Sequence, residues 1–177
     1  MSRQKGMRAL ASEAVEARRE RWSLIDIPPG FSGRGGRLYQ GGYPGDPDDY
    51  QSFDLVVNVA AGDPGPVGPS RDFPGLYLSL AMSDNTIEEE DERCMRLAAR
   101  AAADGLRTGC RVLVHCAQGW NRSGVISARA LMYLGMSADQ AVEQVRLARG
   151  AGALANDSYA RWLLGESGDS AVPNPLH

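Results

Sequence analysis

Apolar positions come in short blocks separated by polar, glycine- and proline-rich connections. Residues 7–22 show a charged helical pattern with Leu10, Val15 and Trp22 among few apolar positions, which predicts an amphipathic helix. Pro28 to Gly36 is turn-rich. Three strands are predicted next, Leu38–Gly41, Leu55–Ala60 and Leu76–Met82, with a loop over Gly62–Pro69 too rich in Gly and Pro for regular structure. Thr86-Ile87-Glu88-Glu89 reads as a capping box, opening a helix from about Ile87 to Leu106. Arg111–His115 predicts a buried strand, and Ser123–Met136 a helix behind it. Ser137-Ala138-Asp139-Gln140 is a second capping box, for a helix running to about Arg149. Gly150-Ala151-Gly152 breaks that helix, and Asn156 or Asp157 caps a last one through Leu164. Strands followed by alternating strand and helix predict an α/β domain with a central sheet.

The 177 residues suffice for one well-buried domain. The lead-in is expected over 1–36, the main domain over 37–165, and a disordered tail over 166–177. A net charge of −3 gives no general attraction to nucleic acid or acidic membranes, so neither is expected as a partner. No run approaches a membrane span or a signal-peptide core, and a cytoplasmic protein is expected. Three cysteines (Cys94, Cys110 and Cys116) and two histidines offer neither a disulfide framework nor metal-ligand spacing. No metal or other cofactor is therefore expected.

The chemistry concentrates in His115-Cys116-Ala117-Gln118-Gly119-Trp120-Asn121-Arg122-Ser123-Gly124, between the predicted buried strand and its helix. Unpaired N–H groups and the dipole at a helix start favour an anion. A cysteine there ionises readily, its pKa falling to about 5–7 beside a cation. The spacing of Cys116 and Arg122 lets the loop curl so that the N–H groups of Ala117 to Arg122 face phosphate oxygens. Gly119 allows the tight turn. Arg122 can grip the phosphate with paired hydrogen bonds, and Ser123 can donate to the departing thiolate. His115 is expected to position the loop through hydrogen bonds, and Asn58 to brace a loop. A leaving oxygen needs a proton. Asp84, ahead of a capped helix, is the first choice for that acid, with Asp63 its rival.

His115-Cys116-x-x-Gly119-x-x-Arg122-Ser123 resembles the signature of the cysteine-dependent protein tyrosine phosphatases, and Asp84 upstream resembles the dual-specificity branch. Leu38–Gly42, Val56–Ala60, and Arg146 through Asn156, Tyr159 and Leu163 extend the likeness over roughly 37–165. It implies a central mixed sheet flanked by helices, the cysteine phosphatase II type. It also implies a metal-independent phosphatase with a phosphocysteine intermediate, acting on phosphotyrosine and/or phosphoserine/phosphothreonine in proteins. Cys116 would be nucleophile, Arg122 phosphate binder, Asp84 general acid and Ser123 thiolate assistant.

The positions between, Ala117, Gln118, Gly119, Trp120 and Asn121, would bind substrate. An aromatic followed by Asn-Arg also resembles the loop of RNA 5′-triphosphatases of the same fold, which leaves an RNA 5′-phosphatase as an alternative. Those enzymes do not need the aspartate, and this chain lacks a basic track for RNA. A phosphate-binding pseudophosphatase is the other alternative, motivated by the unusual Gln118–Asn121 stretch. Trp120 either packs on a neighbouring loop or forms a pocket rim. Cys94 and Cys110 read as packing residues, and Glu88–Glu92 as a solvated helix start.

Overall fold

The computed structural model describes residues 21–31, 33–63, 68–85 and 87–165. The helix expected over 7–22 lies outside them apart from its last two positions, and the tail 166–177 lies outside them too. The described elements run β1 (Trp22–Ile25), β2 (Arg37–Gly41), a 3-10 helix (Pro47–Ser52), β3 (Leu55–Asn58), β4 (Leu76–Ser79), α1 (Glu89–Arg107), β5 (Arg111–His115), α2 (Arg122–Tyr133), α3 (Ala138–Arg149) and α4 (Asp157–Gly165).

The strands form one mixed sheet in the order β1-β2-β5-β3-β4. β1 is antiparallel to β2, and the other neighbours are parallel. Trp22 is therefore in a strand, paired with Gly41, rather than in a helix. The sheet begins before residue 37, inside the stretch expected to be a lead-in.

Alternate residues of β5 face opposite sides, as the pleat requires. Val112 and Val114 join the main core with Leu38, Leu55 and Val57, under residues of all four helices. Leu113 points the other way, into an aromatic cluster with Trp22, Tyr50, Phe53 and Val56. The 3-10 helix supplies Tyr50 to that cluster and is held by a reciprocal cap between Asp46 and Asp49.

Buried Met95, Ala98, Ala99, Ala102, Ala103 and Leu106 recur at helical spacing along α1, while Leu97 stands exposed. The expected capping box at Thr86 falls on a residue outside the described set. The observed box is two residues later, between Glu88 and Asp91. α2 is buried from Arg122 to Met132 because α1 packs on one flank and α3 and α4 on others. Burial on every side fixes α2 relative to the sheet, and its first turn meets the end of β5.

Candidate active site

Residues 116–121 join β5 to α2 as a curled loop, and the partners of its carbonyl groups define its form. The Ala117 carbonyl accepts from Tyr43 N–H at 3.3 Å, and the Trp120 carbonyl from Leu154 N–H at 3.4 Å. The Gly119 carbonyl accepts from Gln40 Nε2 at 3.2 Å and Arg149 Nε at 3.1 Å, and the Gln118 carbonyl from Arg149 Nη2 at 3.5 Å. Four successive carbonyls are thus turned outward. No peptide bond among the described residues is cis, and in a trans peptide the C=O of one residue opposes the N–H of the next. The N–H groups of residues 118–121 consequently point to the inside of the curl. The Gly119 N–H lies 3.2 Å from Cys116 Sγ there.

Gly119 has φ +77°, and a Cβ on it would sit 2.2 Å from the Gly41 carbonyl carbon. Glycine is thus required twice, by conformation and by contact with the end of β2. The Cys116 N–H bonds to the Gly41 carbonyl at 3.2 Å, completing the loop's attachment to that strand.

Cys116 is buried, and its Sγ is 3.4 Å from Ser123 Oγ, which is itself inaccessible. Asn121 stands at the N-cap of α2, but its side chain does not cap it. Its Oδ1 accepts from Asn156 N–H at 3.3 Å instead. The first-turn amides of α2 keep their attraction for an anion.

Arg122 is 7 % exposed. Its Nη1 donates to the Met82 carbonyl at 3.2 Å and its Nη2 to Asp63 Oδ2 at 2.6 Å. Its Nε is buried with no hydrogen-bond partner. The contact with Asp63 raises the guanidinium pKa and holds the Asp63 carboxyl below its ordinary value. Asp63, expected only as a rival acid, is in fact ion-paired.

Asp84 lies exposed on the connection from β4 to α1. Asn156 Nδ2 donates to the Asp84 carbonyl at 3.1 Å and to the Asn85 carbonyl at 3.0 Å, and the Tyr159 hydroxyl donates to the Ser83 carbonyl. Asn156 thereby ties the Asp84 segment to Asn121 of the loop. Asp63, Asp84, Cys116 and Arg122, with Ala117, Gln118, Trp120 and Asn121, line one pocket of about 280 Å³.

Trp120 is 37 % exposed and does both things weighed for it. It lines the pocket and also packs against the turn after α3, where a Cβ on Gly152 would stand 3.2 Å from its ring. The Arg149 guanidinium lies 5.7 Å from the ring centroid.

His115 departs from expectation. His115 is on the aromatic side of the sheet, its ring 5.9 Å from Tyr43 and 5.8 Å from Tyr50. Neither ring nitrogen has a well-formed hydrogen bond, so packing replaces the expected hydrogen bonds. Burial pushes its pKa down to about 4, against a smaller upward pull from the Cys116 backbone. Asn58 braces the turn that follows β3: Oδ1 accepts from Ala60 N–H and Nδ2 donates to the Tyr77 hydroxyl, each at 2.9 Å. Cys94 and Cys110 are half-buried and unpaired with other cysteines.

Gln40, Arg149 and the Asn156 tether escape a reading of the sequence. The Gly41-Gly42 pair closing a strand was a legible signal of close backbone approach, and an arginine ending α3 was a weaker one of a carbonyl partner.

A family model described as the dual specificity phosphatase catalytic domain matches residues 38–167. Among solved structures, Tk-PTP in its active form is 24 % identical, with a TM-score of 0.59 over 83 % of this chain and 97 % of its own. A mouse putative dual specificity phosphatase, solved with zinc tungstate, is 23 % identical, with a TM-score of 0.62 over 83 % and 87 %. Kinase associated phosphatase, solved with serine in place of its catalytic-site cysteine, is 16 % identical, with a TM-score of 0.66 over 86 % and 97 %. At these identities the likeness is one of fold. No curated protein sequence matches significantly. The family match spans well over half of the chain, and this protein belongs to the dual specificity phosphatase catalytic-domain family.

Proposed function

We propose that this chain hydrolyses phosphate monoesters in proteins, at phosphotyrosine and/or phosphoserine and phosphothreonine, through a phosphocysteine intermediate. The observation that carries the reading is the curl of inward N–H groups at 118–121 around Cys116 Sγ, with the unpartnered Arg122 Nε beside it. Such a cradle of oriented amides and a guanidinium suits the equatorial oxygens of a transferring phosphoryl group.

In this mechanism the Cys116 thiolate attacks phosphorus along the axis opposite the leaving oxygen. The S–P bond forms as the P–O bond breaks, and Asp84 gives the departing oxygen its proton. Its exposed carboxyl group on the pocket wall, protonated for this step, suits that role, and Asn156 holds the segment in reach. Water then attacks the phosphocysteine with Asp84 taking its proton, and Ser123 donates to the sulfur as it leaves. Catalysis of this kind needs no metal ion.

The test is hydrolysis of an aryl phosphate in EDTA by wild type and by Cys116→Ser. Activity only in the wild type supports the reading, whereas an inactive wild type or an active variant overturns it. An RNA 5′-phosphatase is the second reading, favoured by Trp120 at the pocket edge. Phosphate release from triphosphate-ended RNA, set against phosphotyrosyl and phosphoseryl peptides, separates the two. Phosphopeptide binding without turnover would mark a pseudophosphatase.

A further inference from the structure

We propose that Asp63 is a positioning residue for the phosphate-binding arginine, holding Arg122 by its outer nitrogen so that the rest of the guanidinium faces the phosphoryl group. The inference rests on the reading of Cys116 and Arg122 as a phosphate site and adds to it a residue from another part of the chain.

Asp63 is placed by the sheet rather than by the proline-rich stretch that follows it. Its N–H bonds to the Ala60 carbonyl at 3.1 Å. Ala60 is held in turn by Asn58 Oδ1 at 2.9 Å and by the Tyr43 hydroxyl, which donates to its carbonyl at 3.0 Å. Ala61 N–H bonds to the Leu80 carbonyl at 3.0 Å. Asn58 therefore contributes to the site at one remove, by fixing the turn that carries Asp63.

The division of Arg122's donors gives the arrangement its use. A guanidinium has five N–H groups. Asp63 takes one through Nη2, the Met82 carbonyl takes one through Nη1, and Nε remains buried and unpartnered. Two anchors on different nitrogens fix the plane of the guanidinium, and a phosphoryl oxygen supplies the acceptor that Nε lacks. Asp63 touches the guanidinium through Oδ2 alone, so phosphate need not displace it. The Asp63 carboxylate is committed to the arginine by this 2.6 Å contact, which holds its pKa below the ordinary value. Two carboxylates thus enter one pocket with separate tasks, Asp84 on the leaving oxygen and Asp63 on the arginine.

The experiment compares wild type, Asp63→Ala, Asp63→Asn and Asp84→Asn. It measures hydrolysis of aryl phosphates with good and poor leaving groups, and calorimetric binding of inorganic phosphate. Asp63→Ala is expected to lower kcat/KM about 10–100-fold through misplacement of Arg122. The loss should be equal for all leaving groups, with phosphate binding weakened several-fold. Asp63→Asn, which keeps an acceptor without the charge, should lose less but still several-fold, and it carries the test if the alanine variant does not fold. Asp84→Asn should lose most on poor leaving groups. Phosphate binding as tight as wild type or tighter in the Asp63 variants would overturn the inference, as would a loss that grows with leaving-group pKa. The binding arm needs no turnover, so an inactive wild type would overturn the phosphatase reading while leaving this one to be judged by phosphate affinity.

Discussion

His115 offers a quantitative test because its environment is unusually simple. The ring is fully buried between Tyr43 and Tyr50, with no carboxylate among the groups that shift its pKa. Burial disfavours the cation and lowers the pKa from 6.5 to about 4. Above pH 6.5 the imidazole is neutral in both folded and unfolded chains and costs nothing. Between 6.5 and about 4 the unfolded chain binds a proton that the folded chain does not, so stability falls with pH. Below about 4 both forms are charged and the loss stops growing. At 1.36 kcal/mol per pKa unit the window amounts to about 3 kcal/mol, a large part of the ~5–15 kcal/mol that stabilises a typical domain.

The assay is urea unfolding at half-unit steps from pH 7.5 to 4, on wild type and on His115→Phe, which keeps a ring but cannot titrate. For a slope of about 2 kcal/mol/M, the wild-type midpoint should fall by about 1.5 M more than the variant's across the window. The depressed carboxylates, Asp63 and Glu92, give stability that disappears only as pH falls below their ordinary values of 3.8 and 4.5, so they leave most of the window to His115. Parallel pH curves for the two proteins would refute the reasoning, as would a His115 ring resonance titrating near 6.5 in the folded state.

Further outcomes follow from single contacts. Gly119→Ala must relieve a Cβ placed 2.2 Å from Gly41 backbone at positive φ, so phosphatase activity should fall at least 10²-fold, with thermal unfolding showing a loss of about 1–3 kcal/mol. Asn156→Ala removes two hydrogen bonds to the Asp84 segment; kcat should drop on poor leaving groups more than on good ones, with KM little changed in steady-state assays. Arg149→Lys cannot serve the Gly119 and Gln118 carbonyls and Ser23 Oγ together, so inorganic phosphate should inhibit several-fold more weakly. Leu113→Ala opens a cavity in the aromatic cluster and should cost about 2–5 kcal/mol by urea unfolding.

Which of these features a sequence could foretell depends on how local their causes are. The strand Arg111–His115 and the loop behind it were legible because an apolar run, a glycine and a helix start stand next to one another. Trp22–Ile25 was not. Its four residues follow a charged helical pattern, and they are a strand because β2 lies beside them and Trp22 packs edge-on against Phe53 at 5.4 Å. Strands β3 and β4 were read too long for a similar reason. Val59, Ala60 and Met82 are as buried as strand residues, but the chain turns there, with only an isolated bridge between Ala60 and Ala81. Asp63 and Asp84 could not be told apart by spacing. What separates them is an ion pair across 59 positions of chain, set by where two loops meet in space.

That meeting place follows from the direction of the strands. β2, β5, β3 and β4 are parallel, so the segments after them leave from the same edge of the sheet. Gly41-Gly42 follows β2, the Cys116 loop follows β5, the turn carrying Asp63 follows β3, and Met82 to Asp84 follow β4. Arg122 contacts three of these four segments, through its own loop, the Asp63 carboxylate and the Met82 carbonyl. At the opposite edge the strands would present their first residues, and no helix would begin against β5 to orient amides toward an anion. The site is built where it is because only there do strand ends converge on the N-terminus of a buried helix, and Arg122, the first residue of that helix, is where their loops are joined.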